Sequence, residues 1–436
     1  MNMPGSYLVH MFISSVFGPG DVGWRLFDLV SLLILVALIA VYCRPFGKWA
    51  VAWSSLFFVA AHLGNGWIAM GQRDFLMCPF LVLGALLLAR GLEGSSRKLS
   101  LFLSGVSIGC AATVKPDVLI LLAFFVILVV WYSRTSLRDC ILGSGFLLCG
   151  TIIPPVGMFV WLASTGALAS FWQIVKEYLP LYAALSGSSA PAPPLVRLVE
   201  VFGRRGYMAL LPLLALFICT RPAALPRLAV LFGAVLYGIA RFIILGKGWG
   251  YHLYPLHCFL LMLAGVILCE LIVKGQRPVK AAAMTCMLLL ALPLCGQCVV
   301  TGREKFSLAL KRPVVEELVA DLSSYSLDSE DTVQILDTSD GGIHALFLLR
   351  IRQPTRFIYD FQFFHDLENP YIRSLRSEFI RDLETKPPKL IVVFHHAWLP
   401  PGNLDRLKSF PEFTRLLEAR YEVNAVRNAY TIYSAK

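Results

Sequence analysis

The feature that most limits what this chain can become is a succession of apolar runs, separated by short loops, that fills its first 300 residues. The runs fall at about 27–43, 49–70, 75–90, 100–115, 117–133, 141–163, 208–220, 228–246, 252–273 and 281–299. About 20 apolar residues in a helix span the hydrocarbon of a bilayer, and a helix satisfies its own backbone polar groups there. A soluble domain has no core large enough for ten such segments. With 57% hydrophobic residues and a mean hydropathy of +0.67, the expected fold is an α-helical polytopic membrane protein of about ten helices, residues 1–300. A second, polar region, residues 301–436, follows it. No internal repeat is visible.

The net charge of +11 is unevenly placed. From Thr301 onward there are 18 basic and 19 acidic residues, which leaves 21 of the 39 basic but only 9 of the 28 acidic residues in the apolar part. The basic excess therefore reports membrane orientation. No basic tract accompanies a nucleic-acid-binding module, so a nucleic-acid partner is not expected. All 11 cysteines precede residue 300, and Cys295 and Cys298 sit within an apolar run, where helix packing is the expected use.

The loops alternate in charge. One set carries Arg44/Lys48, Arg90/Arg97/Lys98, Arg134/Arg138, Arg221/Arg227 and Lys274/Arg277/Lys280; the other holds single cations at Arg73, Lys115 and Lys247. The positive-inside tendency assigns the first set to the cytoplasm. The second set, residues 1–26, a long loop at about 164–207 and the whole C-terminal region are then exoplasmic, in a plasma (inner) membrane. The first part of the long loop, "FWQIVKEYLPLYAAL", reads as an amphipathic helix on the membrane surface, followed by a flexible "SGSSAPAPP".

Chemistry-bearing residues gather on that second face. Arg73 and Asp74 open the third run. Lys115-Pro116-Asp117 forms a tight hairpin. "ARFIILGKGWGYHLYPLH" brings Arg241, Lys247, Trp249, Tyr251, His252, Tyr254 and His257. Cations with aromatic donors suit a phosphate at the membrane surface. Each also has a plainer reading as a snorkelling cation or an interfacial aromatic. His10 and His257 lack metal-ligand spacing, and no metal or other cofactor is expected.

After Val300, "RPVVEELVADL", "NPYIRSLRSEFIRDLE" and "LDRLKSFPEFTRLLEARY" read as helices, and "TVQILD", "TRFIYD", "KLIVVFHH" and "YTIYSA" as strands, giving a small soluble α/β domain. "TSDGG" matches no nucleotide fingerprint and reads as a turn. "FHH" at 394–396 and "FFHD" at 363–366 fall at strand ends or loops.

Three segments resemble motifs of the GT-C glycosyltransferases, multi-pass enzymes that take a sugar from a polyprenyl-phosphate carrier. The likeness is strongest to the branch holding protein O-mannosyltransferases and the lipid A aminoarabinose transferase. "MPGSYLVHMFISSVFGPGDVGWRLFDL" resembles the family's Pro-x-x-Tyr stretch, "GQRDFLMCPFLVLGALLLAR" its Arg-Asp helix start, and "GKGWGYHLYPLH" its late Lys/Arg-x-x-Tyr-x-x-Pro motif. The resemblance spans about residues 3–300. It implies a polyprenyl-phosphate-linked sugar as donor and an exoplasmic glycan, lipid or protein as acceptor. Lys247, with Arg241 or Tyr251 near it, would neutralise the phosphate; Lys115 and His252 would add to substrate binding. Asp74 would be the acidic site residue, held by Arg73 or Arg25. In the family the catalytic base lies on a loop ahead of the Pro-x-x-Tyr stretch, where this chain begins, so that base is expected to be missing upstream of Met1. Asp74 is then the remaining catalytic candidate. Two other readings are a non-catalytic partner subunit and a transporter or flippase for a lipid-linked glycan. The crowding of polar groups on one face favours the enzyme.

Overall fold

The computed structural model describes residues 3–66, 69–94, 96–188, 193–204, 207, 210, 226–245, 249–306, 313–338, 340–396 and 405–436. The chain divides into two units: Met1–Ser170 with Ala190–Ser307, and Phe171–Ser189 with Leu308–Lys436.

The first unit is helical. Its helices are Pro4–Val16, Asp21–Cys43, Lys48–Leu63, Arg73–Leu76 continuing as Cys78–Leu92, Arg97–Val114, Leu119–Ser133, Leu137–Ser164, Pro194–Arg204, Pro226–Leu245, Tyr254–Lys274 and Arg277–Phe306. Among the described residues, seven spans are long and apolar enough to cross a membrane. This is a multi-pass membrane protein. Nine of the ten apolar runs coincide with helices; the run at 208–220 lies, Leu210 apart, outside the described residues. The run at 49–70 stops being helical at Leu63, where Gly64 caps it and Gly66 turns the chain with φ of +67°. The helix Pro4–Val16 has no apolar run behind it. At 13 residues it is too short to span, and Ser6 Oγ donates to the Val114 carbonyl at 3.4 Å.

Tyr254–Lys274 is the central helix. Of an 18-residue apolar stretch within Gly250–Val273, 83% is buried, against 17% for one within Arg277–Thr301 at the periphery. The Arg97–Val114 and Leu137–Ser164 helices pack with their backbones in contact. Gly105 and Gly109 lie one turn apart on the first, and a Cβ on Gly105 would overlap the Leu147 carbonyl oxygen. In lipid, where apolar side chains gain little from leaving their solvent, such small-residue contact drives helix pairing.

The two sets of helix ends segregate. At one end Arg227 forms a bidentate pair with Glu93 (2.7 and 3.0 Å) and donates to the Tyr42 carbonyl at 2.8 Å, joining three loops of the basic set. At the other end Lys115 meets Asp74, the N-terminal helix meets Val114, and Thr301 Oγ1 donates to the Gly64 carbonyl at 2.8 Å.

The second unit holds a four-stranded sheet of β1 (Val333–Leu336), β2 (Leu390–Phe394), β3 (Tyr421–Val426) and β4 (Tyr430–Ala435), in the order β1-β2-β4-β3. β1 and β2 run parallel; β4 is antiparallel to both β2 and β3. β2 is buried throughout, which accounts for its unbroken "LIVVF". Ile391 and Val393 face the helices Pro370–Thr385 and Pro411–Arg420. Leu390, Val392 and Phe394 face Pro313–Ser324 and Gly342–Leu349.

Several expectations change here. "TRFIYD" is not a strand. Gln353 Oε1 accepts from the Ile335 amide at 2.9 Å, and Thr355 Oγ1 donates to Gln334 Oε1 at 2.8 Å, so side chains occupy the place of a ladder beside β1. β3 is an additional strand. Its exposed side chains hid the alternation, and the helix read through Tyr421 stops at Arg420. "TSDGG" is a turn: the Asp337 carboxylate accepts from the amides of Asp340, Gly341 and Gly342 at 2.9–3.0 Å, so the protein's own anion fills the amide nest.

The largest change concerns the long loop. Residues Leu168–Gln173, a π-helical turn Ile174–Tyr178 and Leu179–Ser188 are helical, but from Phe171 on they belong to the α/β unit. Tyr178 is buried among Phe363, Ile372 and Leu375. Its hydroxyl lies 3.2 Å from His365 Nδ1, and the rings stack at 5.5 Å and 8°. The apolar stripe read as membrane-facing is spent on this core.

That core holds a proton-sensitive group. Burial pushes His365 down to about 4, and its Nε2 has no hydrogen-bond partner among the described residues. An unfolded chain would take up the proton first as the pH falls, near 6.5. The contribution of neutral His365 is therefore complete above about pH 6.5 and is lost as the pH drops from there towards 4. Hydrogen exchange of the Pro370–Thr385 helix, corrected for intrinsic rates, is expected to quicken from pH 6.5 to 4.5. In His365→Gln the increase should be markedly smaller. An equal increase in both proteins would contradict this account.

Candidate functional site

The site is built where two helix starts and the end of a third helix meet at one end of the membrane unit. Gly71, with φ of +67°, turns the chain into the short helix Arg73–Leu76, and Asp74 in its first turn is fully buried. Lys115 precedes Pro116. Proline disfavours helical backbone in the residue before it, and Lys115 is extended at φ −146°, ψ 115°. Its Nζ donates to Asp74 Oδ2 at 2.6 Å. Arg241, one turn before the end of the Pro226–Leu245 helix, is fully buried. Its Nη2 donates to Asp74 Oδ1, its Nε to Asp117 Oδ2 at 2.8 Å, and its Nη1 to the His252 carbonyl at 2.7 Å.

Two carboxylates and two cations thus close into one network with no net formal charge. Charges taken from water are tolerated only with such mutual pairing, and removing one partner strands the other. Both oxygens of Asp74 are committed, while Asp117 Oδ1 has no hydrogen-bond partner among the described residues.

The geometry corrects one expectation. Asp74 is held by Lys115 and Arg241, not by Arg73 or Arg25. Arg241 makes one bond from each of its three nitrogens, to Asp117, the His252 carbonyl and Asp74. Arg73 is half-buried beside Asp74, and Arg25 is 8% exposed on the Asp21–Cys43 helix. His252 is buried in the 3-10 turn Gly250–Leu253; the half-buried Tyr251 packs on it at 4.8 Å, and Trp249 stands 5.5 Å away. Lys247 lies outside the described residues.

A second buried cluster shares a wall with the first. His62 Nε2 is 3.1 Å from Asp28 Oδ2, and its Nδ1 is 3.0 Å from the Tyr254 hydroxyl. The His62 ring stacks on Phe75, the residue after Asp74, at 4.2 Å. Asp28 and His62 were not among the site candidates read from the sequence, and Asp117 was noted only as part of a hairpin. The available signal was an ionisable residue inside an apolar run, which lipid penalises unless it has a use or a partner. Among the described residues no group of three or more His, Cys, Asp or Glu is placed to hold a metal ion.

Comparison with known proteins places this geometry in a context. The profile of a family described as Dolichyl-phosphate-mannose-protein mannosyltransferase matches residues 3–161, less than half of the chain. No curated protein sequence matches it. Among solved structures, ArnT from Cupriavidus metallidurans bound to undecaprenyl phosphate aligns with a TM-score of 0.63 and 14% identity, over 99% of this chain and 87% of that one. Its apo state gives 0.62 and 14% over the same shares. The oligosaccharyltransferase AglB from Archaeoglobus fulgidus, in complex with an inhibitory peptide and a dolichol-phosphate, gives 0.52 and 11%, over 100% of this chain and 66% of that one.

Proposed function

We propose that this multi-pass membrane protein, which has the GT-C glycosyltransferase fold, moves a sugar from a polyprenyl-phosphate carrier to an acceptor hydroxyl. The transfer takes place on the exoplasmic side of the plasma membrane. The observation that carries the reading is the buried Asp74–Lys115–Arg241–Asp117 network, set at the one end of the helices where Trp249, Tyr251 and His252 also gather. The polyprenyl phosphates held by ArnT and AglB support a lipid carrier.

In this reading Lys247, a few residues before Tyr251 and His252 in the sequence, neutralises the carrier phosphate, and Tyr251 and His252 add to its binding. Arg73 and Arg25 add cations on the same side. The acceptor oxygen attacks the anomeric carbon, the bond from that carbon to the phosphate oxygen breaks, and the phosphate leaves with the electron pair. Cations fixed in a poorly hydrated site stabilise the charge that grows there. The acceptor proton passes to a carboxylate. Asp74 takes no proton while both of its oxygens are engaged. An arriving phosphate offers Lys115 a competing anion, and Lys115 turning towards it frees Asp74 Oδ2. The acceptor is a glycan, lipid or protein of the cell envelope, and the C-terminal α/β unit is exoplasmic.

The test uses purified protein in liposomes, with radiolabelled polyprenyl-phosphate hexose or pentose and an envelope extract as acceptor source. Label is expected to move into the acceptor fraction and leave undecaprenyl phosphate behind. Lys247→Ala is expected to weaken undecaprenyl phosphate binding by about 10-fold or more, the value of one charge-assisted hydrogen bond, as read by native mass spectrometry. Unchanged binding would remove Lys247 from the site. Labelled lipid that crosses the bilayer without transfer would replace the enzyme with a flippase.

A further inference from the structure

The α/β unit carries a cavity of about 600 Å³ at the carboxyl end of β2, beside β4. That is the volume range of small-ligand sites, and the carboxyl end of a parallel strand is where α/β sheets leave room for them. His395, His396, Asp405, Asn428, Thr431 and Tyr433 supply its polar lining.

The charges decide what it can accept. Arg406 also lines the cavity, but the protein consumes its guanidinium. Nε pairs with Asp360 Oδ2, Nη1 donates to the carbonyls of Phe394 and His396, and Nη2 lies 3.4 Å from both Thr338 Oγ1 and Asp360 Oδ1. Among the described residues no other lining residue is a lysine or arginine. Asp405 is itself paired, its Oδ2 3.4 Å from Lys408 Nζ, so among the described residues the cavity has no unpaired lysine or arginine to attract a phosphate or carboxylate. The remaining groups are of another kind. An imidazole, a carboxamide and a phenol each both donate and accept hydrogen bonds, as sugar hydroxyls do. The side chain of His396 is 66% exposed and held only loosely, its Nδ1 3.4 Å from Asp340 Oδ2. His395 is fixed on both nitrogens, to the Asn428 carbonyl at 3.1 Å and Thr431 Oγ1 at 2.8 Å, which sets one wall. The half-buried ring of Tyr433 suits the C–H face of a pyranose ring.

We infer that this cavity binds a neutral glycan, with His396, Asn428 and Asp405 reading its hydroxyls. The site belongs to the second unit and the Asp74 network to the first, and the inference does not depend on the transfer reaction.

The test is saturation-transfer NMR on the full-length protein in detergent, with mannotriose, cellotriose and chitotriose as neutral probes and glucose 6-phosphate as the anionic one. At least one trisaccharide is expected to bind in the millimolar range. His396→Ala and Asn428→Ala, both at exposed positions, are each expected to weaken that binding at least 5-fold, and Ser323→Ala on the Pro313–Ser324 helix should leave it unchanged. Asp74→Asn should also leave it unchanged, which separates this site from the transfer site. No binding by any trisaccharide at 20 mM would overturn the inference. So would binding that is indifferent to both cavity variants, or tighter binding of glucose 6-phosphate than of every neutral sugar.

Discussion

Asp74→Asn is expected to lower sugar transfer by a factor on the order of 10² to 10⁴, the range for losing a catalytic proton acceptor. The variant also removes the charge that Lys115 and Arg241 share. Arg241 keeps Asp117, but the nearly buried Lys115 loses its acceptor. Stranding one member of a buried pair costs about 3–5 kcal/mol, so detergent-solubilised Asp74→Asn should also unfold at a lower temperature. The two effects can be separated. In Asp74→Asn/Lys115→Met the stranded cation is gone, and much of the thermal stability should return while transfer stays absent. Transfer at the wild-type rate in either variant would dismiss Asp74 from the chemistry. Recovery of both stability and activity in the double variant would make the network purely structural.

The second large effect is expected in the α/β unit. Arg406 is 3% exposed and Asp360 is 2% exposed, and Arg406 is also tied to two carbonyls at the end of β2. Arg406→Ala leaves the Asp360 carboxylate buried against Thr338 alone, at a similar cost of about 3–5 kcal/mol. Whole domains are stable by only about 5–15 kcal/mol, so this unit should become sensitive to protease within the otherwise intact protein. Asp360→Leu/Arg406→Met should regain part of the resistance, because a well-packed apolar pair replaces the ion pair without an unpaired charge. Wild-type resistance in Arg406→Ala would show that the pair contributes little to the unit.

Much of the architecture follows from runs of residues that act locally. The apolar segments, the polar region after Val300, the β2 run "LIVVF" and the Asn369 cap on Pro370–Thr385, whose side chain accepts from the Tyr371 amide at 2.9 Å, all read directly from neighbouring residues. Where the reading failed, the deciding partner was distant. "TRFIYD" has strand composition, but Gln353 and Thr355 bond to β1 with side chains instead. The helix around Tyr178 has an amphipathic face that would suit lipid, yet that face is buried against residues almost two hundred positions later.

The site divides the same way. That Asp74, Lys115 and Arg241 belong to one face was legible, because single cations at loops of low positive charge mark it. Their pairing was not. Asp74 has an arginine next to it in sequence, and adjacent residues on a helix point in different directions. Its actual partners lie 41 and 167 residues away. Asp28 and His62 stood in plain view as ionisable residues within apolar runs, and only their contact with each other, and that of His62 with Tyr254, gives them a place.

The sequence by itself determined that this chain crosses a membrane many times and then forms a small α/β unit, because transfer out of water sums over neighbouring residues. Tertiary structure alone decided which charges neutralise one another and which core claims the helix at Tyr178. Those outcomes depend on the distance between groups far apart along the chain, and the folded helices set that distance.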